Sequence, residues 1–127
     1  VVIGNKIRKD HQEDAQIWNI VGDVKDKHVL IVDDIIFTGG SLISMAQAAV
    51  EQGAKDIYAA VTHGVLTPGA NKKLSDSVIK ELLVTDSVEY RFEAESRKLK
   101  TVSVAPLFAD AIARIHSNQS ISALFPS

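Results

Sequence analysis

Apolar positions along this chain follow two rhythms. Five β-branched runs stand out at Val1–Ile3, Ala15–Val21, Val29–Val32, Ile57–Val61 and Thr101–Ala105, with a weaker sixth at Glu81–Thr85. The runs at Val29 and Ile57 are short and apolar throughout, which predicts strands covered on both faces. Between them the rhythm changes. Leu42, Met45, Ala46, Ala49 and Val50 recur at helical spacing, predicting a helix over Ser41–Gln52 that Gly53 closes. Strand, helix and strand in this order predict a βαβ unit with a right-handed crossover. A second helix is expected over Gly69–Leu74, because Pro68 suits a first helical turn. A third is expected over Pro106–His116, with Leu107, Ala111, Ile112 and Ile115 as its apolar stripe. Asp10–Asp14 is acidic and polar and reads as an exposed loop. Glu89–Lys100 is highly charged and fits a hairpin, a loop or a short helix. The class is α/β: a mostly parallel sheet flanked by helices.

Composition narrows the partners. A length of 127 residues with 46% hydrophobic content fits one domain, able to bury about two thirds of the surface of its unfolded chain. The formal charge is -2, and no block of Lys or Arg offers a footprint for nucleic acid or a membrane. The absence of cysteine excludes disulfides and thiolate metal sites. No apolar run reaches the ~18 residues of a membrane span, and no charged start leads into a secretory core. A cytoplasmic location is the expectation. The opening Val1-Val2-Ile3-Gly4-Asn5 resembles the middle of a strand without an approach segment. It predicts a partial domain whose preceding portion belongs to a longer parent.

The chemistry concentrates in Val29-Leu-Ile-Val-Asp-Asp-Ile-Ile-Phe-Thr-Gly-Gly-Ser41. An apolar strand runs into two acids, then into a short loop at a helix start. Gly39 and Gly40 lack a Cβ, so their backbone can approach a ligand and adopt positive φ. The first N–H groups of the following helix lack intrahelical partners, and with the helix dipole they favour a phosphate dianion. Thr38 and Ser41 add hydroxyls. Asp33 and Asp34 stand at the carboxyl end of the strand, where open α/β sheets place ligands. Carboxylates there can accept hydrogen bonds from sugar hydroxyls or hold a divalent ion. A plain turn with Ser41 as helix cap is the bland alternative, but the whole pattern is more specific than its parts. Gly-x-x-x-x-Gly-Lys-[Ser/Thr] and Gly-x-Gly-x-x-Gly are both absent.

Val29–Leu42 resembles the phosphoribosyl pyrophosphate loop of type I phosphoribosyltransferases and their relatives. That resemblance implies that Asp33 and Asp34 hold the ribose 2- and 3-hydroxyls, and that Phe37, Thr38, Gly39, Gly40 and Ser41 wrap the 5-phosphate. Phe37 departs from many relatives, which carry Asp there; its amide remains available whatever the side chain. Flanking segments narrow the family. Asn5-Lys6-Ile7-Arg8 resembles the mobile catalytic loop of ribose-phosphate pyrophosphokinases. Trp18–Asp23, Tyr58–Val65, Ser103–Leu107 and Ile121–Phe125 are also similar to that family. The resemblance spans nearly the whole chain and implies its C-terminal part, with a type I phosphoribosyltransferase-like fold.

The implied reaction moves the β,γ-diphosphoryl group of ATP to the 1-hydroxyl of ribose 5-phosphate, giving phosphoribosyl pyrophosphate and AMP. Lys6 and Arg8 would be catalytic, stabilising charge on the transferred group; otherwise they belong to a solvated basic loop. Mg²⁺ is the expected cofactor, with Asp33 and Asp34 as candidate ligands in this chain. Other metal and ATP contacts would lie upstream, leaving the isolated chain inactive. His63 ends the Ile57 run at the sheet edge that carries the loop. It is either an active-site neighbour, as the resemblance implies, or a strand-end histidine satisfied by backbone. The resemblance also implies a homo-oligomer, a dimer or a hexamer built from dimers. Two competing functions remain: a phosphoribosyltransferase that consumes phosphoribosyl pyrophosphate, and a catalytically silent, regulatory relative.

Overall fold

The computed structural model of the chain describes residues 3–7, 17–89 and 97–125. Two strands, β1 (Ile3–Ile7) and β2 (Ile17–Val21), pair antiparallel with Ile3 opposite Val21 and Ile7 opposite Ile17. They form a ribbon separate from the main sheet. The main sheet contains β3 (His28–Ile36), β4 (Asp56–Gly64), β5 (Ile79–Thr85) and β6 (Leu99–Val102), in that spatial order. All three pairings within it are parallel. Helices α1 (Gly40–Glu51), α2 (Ala70–Ser75) and α3 (Ala105–His116) complete the chain with a short 3-10 turn at Ser122–Leu124. Parallel neighbours need a crossover rather than a tight turn, and α1 and α2 supply two of them. This is the predicted α/β architecture.

Periodicity explains the core. Leu42, Ala46 and Ala49 recur on one side of α1 and are buried. Ala70 and Leu74 do the same on α2. They share one cluster with Ile31 of β3, Ile57, Ala59 and Val61 of β4, and Leu82 and Val84 of β5. Each fully buried Leu, Ile or Val side chain contributes roughly 1.5–3 kcal/mol relative to exposure. At the opposite end of the strands, Asp56 links β3 to β5. Its carboxylate meets His28 Nδ1 at 2.8 Å and the Lys80 ammonium. That lysine, followed by opposing desolvation and then lesser charge effects, leaves Asp56 below the usual carboxylate range.

Three expectations change. The strands at Val29 and Ile57 are not covered on both faces. Leu30 and Val32 of β3 are 59% and 75% exposed, and Tyr58 of β4 is 37% exposed. Their apolar character belongs to a face with no helix on it among the described residues. The last strand is Leu99–Val102 rather than Thr101–Ala105, because Ala105 and Pro106 already open α3. The apolar stripe of α3 forms as predicted but buries nothing: Leu107, Phe108, Ile112 and Ile115 are all more than half exposed. Of the acidic segment Asp10–Asp14, nothing lies within the described residues. The same holds for residues 90–96 of the charged segment, whose end forms a turn at Arg97–Lys98 before β6.

Candidate functional site

The apolar strand does not end at the two acids. β3 continues through Asp33 and Asp34 to Ile36, so the loop is only Phe37-Thr38-Gly39. Successive side chains on a strand point to opposite faces, which separates the two acids. Asp33 lines a hollow of about 60 Å³ with Ile35, Ile36, Thr38, Gly39, Gly40, Ser41, Leu42 and Val61. Asp34 does not line it. Both carboxylates are exposed, and Asp33 Oδ1 accepts the Asp34 N–H at 2.9 Å. The structure therefore gathers Asp33 with Thr38, Gly39, Gly40 and Ser41, and sets Asp34 on the other side of the strand.

Gly39 makes the turn possible. It is buried at φ +76° and immediately precedes the first residue of α1. A β-carbon would find ordinary contacts, 3.6 Å from Ile43 Cδ1 and 3.7 Å from Ile36 Cδ1, so the requirement is conformational rather than spatial. The Gly39 carbonyl accepts the Ile43 N–H at 2.9 Å. Thr38 Oγ1 accepts the Gly40 N–H at 3.4 Å. The N-cap residue, Gly39, has no side chain to hold the N–H groups that follow, and the first turn of α1 contains no acid. An uncapped helix start beside a glycine turn presents outward N–H groups and the positive end of the dipole, the chemistry of an anion site.

Phe37 is half exposed, and its working group is the backbone. Its carbonyl accepts the Thr67 N–H at 2.9 Å and the Thr67 hydroxyl at 3.3 Å. One residue earlier, the Ile36 carbonyl accepts the Val65 and Leu66 N–H groups, each at 3.1 Å. Leu66 holds the uncommon φ of +37° while almost fully buried. Its packing and that hydrogen bond stabilise a conformation that costs of order 1–3 kcal/mol. Thr67 and Leu66 thus brace the loop from behind. Sequence reading missed them, because the pairing joins residues about thirty positions apart.

His63 lies at the same edge of the sheet, with Ile35 as its register partner on β3. Its Nδ1 is 2.8 Å from the Ser87 hydroxyl, and the hydroxyls of Thr85 and Ser87 gather on the Thr62 carbonyl. Beyond β5, Asp86 Oδ1 accepts the Val104 N–H at 2.8 Å. The Ser103 hydroxyl first, and that amide second, hold the Asp86 carboxyl below its usual value. Lys6 stands in β1 opposite Trp18, in a strand rather than a loop; its side chain and the whole of Arg8 lie outside the described residues.

A larger hollow of about 470 Å³ lies elsewhere, along the outer edge of β3, lined by apolar Ile20, Val24, Val29, Ile31 and Met45 with Lys27 and His28. It lacks the convergent donors of the loop. Among the described residues, no three His, Asp or Glu side chains gather to hold a metal ion. Mg²⁺ does not require such a cage, since it keeps several waters and takes one or two carboxylates with substrate phosphates. The exposed oxygens of Asp33 and Asp34 fit that mode. No helix of the described residues is long and apolar enough to cross a membrane.

Comparison with known proteins identifies the family. Residues 4–126 match the phosphoribosyl synthetase-associated domain. A ribose-phosphate pyrophosphokinase of Caldanaerobacter subterraneus is 49% identical over 111 residues, which are 87% of this chain and 35% of that protein. The one from Campylobacter jejuni is 40% identical over 125 residues, 98% of this chain and 40% of its own length. A crystal structure of phosphoribosylpyrophosphate synthetase from Mycobacterium smegmatis superposes with a TM-score of 0.75 at 35% identity, covering 80% of this chain and 34% of that one. The chain belongs to the ribose-phosphate pyrophosphokinase family and has its phosphoribosyltransferase-like fold. It spans between a third and two fifths of the length of these relatives.

Proposed function

We propose that this chain contributes the ribose 5-phosphate site of a ribose-phosphate pyrophosphokinase, as its C-terminal, phosphoribosyltransferase-like domain. The observation that carries the reading is the hollow at the start of α1, where Asp33 faces the same space as Thr38, Gly39, Gly40 and Ser41. In this reading the loop amides and hydroxyls hold the 5-phosphate, and Asp33 accepts hydrogen bonds from the sugar hydroxyls. Asp34, on the opposite face of β3, serves the ligand from outside the hollow or takes part in holding Mg²⁺. The ion would be carried by the polyphosphate substrate and held by these carboxylates, supplying charge neutralisation there.

The reaction is an attack by the 1-hydroxyl oxygen of ribose 5-phosphate on the β-phosphorus of ATP. The bond from that phosphorus to the α,β-bridging oxygen breaks, AMP leaves, and the hydroxyl proton passes to solvent. Such transfers need positioning and charge stabilisation more than covalent chemistry. The loop supplies positioning; Lys6 and Arg8 would supply charge to the transferred group. The relatives named ribose-phosphate pyrophosphokinase support this assignment over a base-modifying transferase. Self-association of the parent and a cytoplasmic location belong to the same proposal. The test is ribose 5-phosphate-dependent release of AMP from Mg-ATP by the full-length parent. Release only with the sugar phosphate is expected, with none from the 127-residue chain alone. A full-length parent that binds the sugar phosphate but releases no AMP contradicts the enzymatic reading and leaves a silent relative.

A further inference from the structure

At the carboxyl end of β4 and β5, four residues form a compact polar group beside the loop. Thr85 Oγ1 is 2.7 Å from the Thr62 carbonyl and 2.7 Å from Ser87 Oγ. Ser87 Oγ is 2.8 Å from His63 Nδ1 and 3.1 Å from the Thr62 carbonyl. The Ser87 N–H also points at Thr85 Oγ1, at 3.1 Å, which uses an acceptor site there without adding a hydroxyl proton. Three side-chain contacts are therefore shorter than 2.9 Å, and each needs one proton between its two heavy atoms. Thr85 and Ser87 bring one hydroxyl proton apiece. Thr85 gives its proton to the Thr62 carbonyl, which has none of its own. The Thr85 hydroxyl also points at Ser87, and Ser87 gives its own proton to the Thr62 carbonyl at 3.1 Å. The third contact is then satisfied only if His63 Nδ1 carries a proton and donates it to Ser87.

Optimising this network favours the Nδ1–H tautomer, since a proton donated by Ser87 to His63 would leave two of the other contacts without one. A neutral His63 protonated at Nδ1 leaves Nε2 as a bare lone pair, and no other hydrogen bond of the His63 side chain exists among the described residues. A lone pair repels a phosphate oxyanion and welcomes a hydroxyl. Resting on the proposed ribose 5-phosphate site, we propose that His63 Nε2 accepts a hydrogen bond from a hydroxyl of the bound sugar, and that Ser87, backed by Thr85, is the positioning residue that fixes this tautomer. The register pairs His63 with Ile35, a residue lining the loop hollow, and so places His63 on the neighbouring strand at the rim of the site, outside the lining itself. The specificity consequence is that His63 reads the sugar while the loop reads the phosphate.

The experiment uses the 127-residue chain and nitrogen-15 NMR of the imidazole and of the Gly39 and Gly40 amides. With its imidazole neutral, the free protein should show His63 protonated at Nδ1; a predominant Nε2–H form overturns the proposal. Inorganic phosphate should move the glycine amides and leave His63 Nε2 in place, whereas ribose 5-phosphate should move both. If ribose 5-phosphate moves the amides only, the proposal for His63 fails while the phosphate site stands. If it moves neither, the ribose 5-phosphate site itself fails and this inference with it. Ser87→Ala should release the tautomer and weaken ribose 5-phosphate about 5-fold, the scale of one oriented hydrogen bond. It should leave inorganic phosphate affinity unchanged. Ser87→Thr, which keeps the hydroxyl, should restore both. An Ala variant that keeps the Nδ1–H tautomer overturns the positioning role.

Discussion

The two faces of the four-stranded sheet differ in how much of their structure this chain supplies. On one face, α1 and α2 cover β3, β4 and β5 with interlocked aliphatic side chains, and Leu82 and Ala59 are entirely buried. The hollow that faces the start of α1 belongs to this covered side: Val61, a core residue, lines it together with Asp33. On the other face, Leu30, Val32 and Tyr58 meet no helix among the described residues, and the stripe of α3 is equally bare. Parallel sheets are ordinarily covered on both faces. The loop is held by contacts within this chain, while the apolar positions of the outer face carry little of its stability.

Truncating a side chain on each face should separate them most. Leu82→Ala removes a side chain with 0% exposure and should cost about 2–5 kcal/mol in urea unfolding. Val32→Thr, at a residue 75% exposed, should stay within about 0.5 kcal/mol in this chain. Equal losses would mean that the outer face is not bare in solution. Next in size is Gly39→Ala. The Cβ fits, but φ +76° is unfavourable for any L-residue, so about 1–2 kcal/mol of stability should be lost. Ribose 5-phosphate affinity should fall as the loop relaxes, which calorimetry can follow. Unchanged affinity would separate the glycine turn from the site.

The two acids of β3 should also differ. Asp33→Asn should weaken ribose 5-phosphate about 10-fold, near 1.4 kcal/mol, and Asp34→Asn clearly less, because only Asp33 lines the hollow. The reverse order would show that the ligand lies on the other face of β3. The smallest effect concerns Asp86. Its carboxyl is held below the usual value of 3.8. A depressed pKa contributes stability that is present above that value and lost as pH falls through the folded-state pKa. Acid unfolding of Asp86→Asn should therefore lose part of the slope below about pH 4 that the native chain shows. An identical acid profile would remove Asp86 from the account.

Much of this arrangement could be read from the residues. The helix over Ser41–Gln52 differs from the observed α1 by one residue at each end, because its apolar spacing and its glycine boundaries agree. The strands at Val29 and Ile57 were visible too, but not their lengths. Asp33 and Asp34 look like a strand end, yet β3 carries them inside its ladder, and pairing with β4 overrides their low strand preference. The same extension separates two acids that seem equivalent in sequence. The uncovered face could not be foreseen, since an apolar strand signals burial without naming what covers it. Thr67, Ser87 and Thr85 were illegible for another reason. Small hydroxyl residues acquire meaning only when distant strands bring them to one carbonyl, as Thr62 does for Thr85 and Ser87.

The most direct test of the central claim is calorimetric titration of this chain with ribose 5-phosphate, with ribose as the control. A glycine turn at an uncapped helix start should bind the sugar phosphate weakly, with a Kd of about 1 mM or roughly -4 kcal/mol, should bind ribose undetectably, and should lose the signal in Gly39→Ala. Equal binding of both ligands, or of neither, would contradict the assignment of Phe37–Ser41 as a phosphate cradle.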